Sequence, residues 1–154
     1  MDAQENVARV LKPIWVCDGE ISPAAFNLRP HIRETYISVL RESCETFMND
    51  LKVVMRNASP VSYAEMNIAE LRGLTVDSLE DDVTFDVNEI DNQSLQSHAG
   101  IFIFINGQQI VGGEPFESLE LEYGTSADSI LLTIRETLAG YAKRTLNKWS
   151  YYEK

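Results

Sequence analysis

The stretch Ile101-Phe102-Ile103-Phe104-Ile105-Asn106-Gly107-Gln108-Gln109-Ile110-Val111 decides the fold. Its first five residues are β-branched or aromatic without interruption, apolar on both faces of an extended chain, which is the pattern of a central strand. Asn-Gly accepts positive φ at both centres of a type I′ turn, so the chain is expected to fold back as a hairpin into Gln109-Ile110-Val111. A central strand needs partners, and neighbouring segments supply candidates. Val83, Phe85 and Val87 alternate with Thr84, Asp86 and Asn88, the signature of a strand with one apolar and one wet face. Leu119, Leu121 and Tyr123 alternate with Glu120 and Glu122 in the same way, until Gly124 breaks the pattern.

Further towards the amino terminus, Val7, Arg9 and Leu11 alternate with Ala8 and Val10, a strand with apolar residues on both faces. Asp18-Gly19 marks a turn, and Ser22 before Pro23 fits an N-cap with proline at the first helical position, starting a short turn through Ala24, Ala25 and Phe26. Thr35 to Leu40 has the β-branched and aromatic content of a buried strand. Ser43 can cap a helix whose Phe47, Leu51, Val54 and Met55 form one apolar stripe, ending at Asn57-Ala58-Ser59-Pro60. Ser62 with Glu65 makes a capping box, Val61 with Met66 a hydrophobic staple, and Gly73 a C-terminal stop, which predicts a helix over 63–72. The competing strand stays open, because Ala64, Met66 and Ile68 also alternate with Glu65 and Asn67. From Thr125 or Ser126 as cap, Ile130, Leu131, Ile134, Leu138, Tyr141 and Trp149 track one face of a helix of about 20 residues. Asp128 in its first turn and Lys143, Arg144 and Lys148 near its end suit the helix macrodipole. The expected architecture is α+β: one domain over 1–154, a mainly antiparallel sheet covered on its apolar face by the long C-terminal helix and the helix after Ser43.

The 154 residues carry a net charge of −11, opposite to the basic footprint that direct binding to nucleic acid requires. No apolar run approaches the roughly 18 residues of a membrane helix. The charge is uneven: residues 73–134 hold 12 acids and no Lys or Arg. Carboxylates in that stretch must face water, a metal, or positive groups from elsewhere. With only Cys17 and Cys44 and no secretory pattern at the amino terminus, the expected compartment is the cytoplasm, and each cysteine reads as a small packing residue.

Zinc-peptidase, serine-hydrolase-elbow, dinucleotide-binding and paired Cys-x-x-Cys signatures are all missing from the sequence. Gly107 and Gly112 have phosphate-loop spacing, yet Gly113-Glu114 replaces the Lys-Ser/Thr that would meet phosphate and magnesium. The acidic run from Asp82 to Asp91 lacks the glycine a calcium loop needs, so neither a metal nor a cofactor is expected. Of the two histidines, His98 enters the central strand, where it either aims at a cleft or simply bonds to backbone. His31 lies between Arg29 and Arg33, a basic cluster that fits either an anion or water. The aromatic tail from Trp149 to Tyr152 either docks on the domain or anchors a partner.

The pieces Lys12-Pro13-Ile14-Trp15, Asp18-Gly19-Glu20-Ile21-Ser22-Pro23-Ala24-Ala25-Phe26, Ile37-Ser38-Val39 and His98-Ala99-Gly100-Ile101 resemble a pattern found in small, largely uncharacterised bacterial proteins. The resemblance implies a bacterial origin and points to Asp18, Ser22, Phe26, Ser38 and His98, without bringing an activity. The functional expectations are then three. In the first, a cytoplasmic acidic module docks a basic protein partner through Asp82, Asp86, Glu120 and Glu122, with an inhibitor, antitoxin or immunity protein as a special case. In the second, a small enzyme or ligand-binding domain uses His98 with Asp18 or Ser22 and an anion-binding group of Arg29, His31 and Arg33. In the third, a homodimer forms through a sheet edge or the aromatic tail.

Overall fold

The computed structural model describes residues 4–28, 34–55, 62–79, 81–91, 95–112 and 127–146. Strand β1 (Asn6–Leu11) leads through a 3₁₀ turn (Pro13–Trp15) to the small hairpin of β2 (Val16–Cys17) and β3 (Glu20–Ile21), then to a second 3₁₀ turn (Pro23–Phe26). Next come β4 (Ile37–Arg41), helix α1 (Phe47–Met55), β5 (Ser62–Asn67), the short helix α2 (Ile68–Arg72) and β6 (Val83–Glu89). The chain continues as β7 (His98–Ile105), β8 (Gln108–Gln109), helix α3 (Ala127–Tyr141) and β9 (Lys143–Leu146). The main sheet runs β6-β7-β4-β1-β5-β9, every pairing antiparallel, with β8 on the end of β7. This is the α+β architecture that the alternating segments predict.

Both hairpin turns form as their residues dictate. Asn106 and Gly107 have φ of 50° and 81°, and Asp18 and Gly19 have 51° and 80°, so each pair holds the two left-handed centres of a type I′ turn. Ser22 caps the second 3₁₀ turn, its Oγ accepting from Ala24 N at 3.2 Å.

The period of two along each strand divides the side chains between two cores. Val7, Ile37, Met66, Phe85 and Ile101 face α3, α2 and the Pro23–Phe26 turn, and pack with Ile130, Ile134, Leu138, Leu71 and Phe26 in the larger core. Their neighbours Ala8 and Leu40 face the other way, against Phe47 and Leu51 of α1. The expectation that α1 and the C-terminal helix share one face is therefore corrected. Since β1 is apolar on both faces, burying both requires a helix on each side.

Two further boundaries differ from expectation. The segment expected as a helix over 63–72 is a strand to Asn67, because Ser62–Asn67 pairs residue for residue with β1 from Leu11 back to Asn6. Its helix begins only at Ile68, capped by Asn67 Oδ1, which accepts from Glu70 N at 3.1 Å; Gly73 ends it. The six-residue ladder outweighs a capping box worth about 1 kcal/mol. At the far end, α3 stops at Tyr141 rather than near Trp149, and Lys143–Leu146 crosses to β5, placing Lys143 opposite Glu65. Tyr141 fastens this corner: its hydroxyl accepts from Asn67 N at 3.0 Å and donates to Glu70 at 2.9 Å. The strand expected at Leu119–Tyr123 and the tail from Trp149 to Tyr152 lie outside the described residues.

Candidate functional site

Strands β1 and β4 are neighbours for only two residue pairs, Val7 with Arg41 and Ala8 with Leu40. Beyond them, β1 continues alongside β5 and β4 alongside β7, so the sheet parts between Arg9–Leu11 and Ile37–Val39. Backbone groups released by such a split need partners. Arg9 supplies one: its Nη1 donates to Ser38 O at 2.9 Å, while its Nε donates to Ala25 O of the Pro23–Phe26 turn at 3.0 Å. A planar guanidinium can serve both carbonyls at once, which explains a cation in the middle of an otherwise apolar strand.

The parting opens a cleft of about 920 Å³, lined by residues from both faces of the sheet. Val10, Leu40, Val54 and Leu132 give it apolar walls, and Trp15 lies at its edge with Arg9 and Lys12 over the indole at 5.1 and 5.0 Å from the ring centroid. Among the described residues its charged lining is Arg9, Lys12 and Arg135 against Glu34, a positive balance in a chain of net charge −11. Arg135 Nη1 donates to Asn27 Oδ1 at 2.8 Å, while its Nε is buried with no hydrogen-bond partner among the described residues.

His98 and Ser38 lie on the same face and both line this cleft, with Nε2 and Oγ 3.3 Å apart. The imidazole is held by the ring of Tyr36, edge-on at 5.8 Å between centroids, and Tyr36 leans in turn on Phe102 at 5.6 Å. Gly100 makes this packing possible: a Cβ there would stand 2.7 Å from the Tyr36 ring. Burial lowers the His98 pKa below the usual histidine value, which favours the neutral imidazole at physiological pH.

The residues expected to act are placed unevenly. His98 and Ser22 line the cleft, though the Ser22 hydroxyl is occupied as a cap. Asp18 does not join them; it sits exposed at the tip of the β2–β3 hairpin, because its turn geometry points it away from the sheet. Arg29, His31, Arg33, Glu120 and Glu122 lie outside the described residues. Asp82 is exposed beside the Asn106 turn, its N–H donating to Asn106 Oδ1 at 2.9 Å. Asp86 takes its positive group from outside the cation-free stretch: Arg72 Nε donates to its Oδ1 at 2.8 Å. Glu89 does likewise with Arg41, whose guanidinium also holds the buried Glu5 at 2.6 Å. Cys17 is exposed rather than packed, since a two-residue hairpin strand has no core to enter, and Cys44 is half-buried with its Sγ 3.3 Å from Thr46 Oγ1.

Sequence reasoning did not single out Arg9, Trp15, Tyr36 or Arg135 as a group. The available signal was the lone cation between Ala8 and Val10. No helix among the described residues is long and apolar enough to cross a membrane, and among them no three metal-ligating side chains converge. No family model matches this chain, and no curated protein or solved structure matches it either.

Proposed function

We propose that the chain is a small-molecule-binding domain, and that the parting between β1 and β4 takes an organic anion with an apolar body. The observation that carries this reading is the composition of the cleft: apolar walls, three cations and one carboxylate among the described lining residues. Pockets of this size, mostly apolar with a few convergent polar groups, are the usual form of small-molecule sites. Arg135, which lines the cleft and whose buried Nε has no hydrogen-bond partner among the described residues, adds a charged donor group, and a guanidinium recognises carboxylate or phosphate in two-point fashion. The reading of an acidic module that docks a basic partner rests on the stretch 73–134, which holds no Lys or Arg. One of its four docking carboxylates, Asp86, is already paired with Arg72, and the neighbouring Glu89 with Arg41, which leaves less free negative charge on that strand for an outside cation.

The test is thermal unfolding with naphthoate and phenyl phosphate, using naphthamide as the neutral counterpart. An anion present at 100 times its Kd adds about 2.7 kcal/mol, or about 5–10 °C in a chain of this size. Arg135→Gln is expected to weaken the anions about 10-fold or more and to leave naphthamide unchanged. Equal shifts from the anions and naphthamide, or none from any of them, would count against the reading.

A further inference from the structure

We propose that Ser38 is the nucleophile, and His98 its base, of a site that hydrolyses small esters bearing an anionic group; this rests on the cleft being a ligand site. Several features on the page converge on this pair. Both side chains are half-buried and line the cleft, so a substrate can reach them. Their 3.3 Å separation is that of a hydroxyl and a base before substrate tightens the contact. Tyr36 fixes the plane of the imidazole, and Gly100 exists at the register position opposite Ser38 where any side chain would collide with Tyr36. The other serine of the cleft, Ser22, has its hydroxyl engaged by Ala24 N and caps a turn. Arg9 donates to the backbone carbonyl of Ser38 at 2.9 Å and so fixes the strand that carries the nucleophile.

The chemistry balances without any further reagent. As Ser38 Oγ bonds to the ester carbonyl carbon, its proton passes to His98 Nε2. The tetrahedral adduct collapses by breaking the bond to the leaving alkoxy oxygen, which takes that proton and departs as the alcohol. Water then attacks the acyl-serine, gives a proton to His98, and the carboxylic acid leaves as the proton returns to Ser38 Oγ. Burial keeps His98 neutral near pH 7, as its role as base requires.

The test uses the whole chain with two probes. A fluorophosphonate is expected to form a stoichiometric adduct that peptide mapping places on Ser38. An activated ester, 4-nitrophenyl hydrogen succinate, is expected to give a stoichiometric burst of nitrophenolate, absent in Ser38→Ala and slowed about 10²–10⁴-fold in His98→Gln. Labelling of the unmodified chain keeps the proposal testable even if a variant fails to fold. Naphthoate protecting the chain thermally while neither probe marks Ser38 would overturn the nucleophile and leave the binding reading standing. An adduct on Ser22 or elsewhere would likewise overturn it, and no occupancy by anion or probe would remove both.

Discussion

Replacing Arg9 by methionine keeps the length of the side chain and removes the guanidinium that bridges the parted strands. Two hydrogen bonds disappear, to Ser38 O at 2.9 Å and to Ala25 O at 3.0 Å, along with the cation over Trp15. A hydrogen bond from a charged donor is worth about 1.5–3 kcal/mol. Arg9 is only half-buried, so water entering the cleft recovers part of that, and the expected loss is about 2–4 kcal/mol. At about 2–4 °C per kcal/mol for a chain of this size, the melting temperature falls by about 5–15 °C. Arg9→Lys retains the charge but offers a point donor in place of a fork, so it should recover about half of the loss. Urea unfolding at neutral pH measures both, with the dependence on denaturant unchanged because the same surface is exposed. An Arg9→Met variant within about 0.5 kcal/mol of the parent, the range of neutral surface changes, would refute the bridging role.

Three other outcomes follow from single contacts. Burial opposes ionisation of Asp50, but Ser97 N and Oγ at 3.0 and 2.6 Å and Thr46 Oγ1 at 2.9 Å outweigh it and hold its carboxyl below the usual range. Asp50→Ala should therefore cost about 3 kcal/mol at pH 7 by urea unfolding, and less as pH falls through the carboxylate range and the parent loses the same contribution. Glu42 behaves oppositely: burial, then its hydrogen bond and repulsion with Glu65, raise its pKa from 4.5 to about 7. The folded state thus holds a proton the unfolded state has lost, and stability declines as pH rises from 4.5 to about 7. Glu42→Gln should flatten that decline and gain about 1 kcal/mol at pH 8, allowing for solvent screening of a half-exposed group; an unchanged pH profile would contradict it. Gly100→Ala forces a Cβ to within 2.7 Å of the Tyr36 ring, so it should cost about 1–3 kcal/mol and remove the Tyr36 ring-current shift from His98 in NMR spectra.

The parts legible in the sequence are those that local chemistry decides alone. The Asn106-Gly107 hairpin is one, since few other dipeptides fit two left-handed centres. The Ser22-Pro23 cap and the apolar stripe through Phe47 and Leu51 are others. Misreading sets in where a tertiary partner outweighs a local signal. Ser62 to Asn67 carries helix-start chemistry, but β1 on one side and β9 on the other claim its backbone for the sheet. Lys143 to Leu146 follows helical spacing and is drawn out by the free edge of β5. The cleft is further from view. It depends on β1 and β4 choosing different partners after Ala8 and Leu40, and pattern along one strand does not report a neighbour's departure. The pairings of Asp86 with Arg72 and Glu89 with Arg41 likewise follow from strand order, which brings distant residues together.

The most direct measurement is a nitrogen-edited NMR titration of the whole chain with naphthoate. Saturable shifts should concentrate on Arg9, Ser38, His98 and the Arg135 side-chain Nε–H, with little change along Val83–Glu89. Shifts that avoid the parting of β1 and β4, or no saturation at all, would contradict the account.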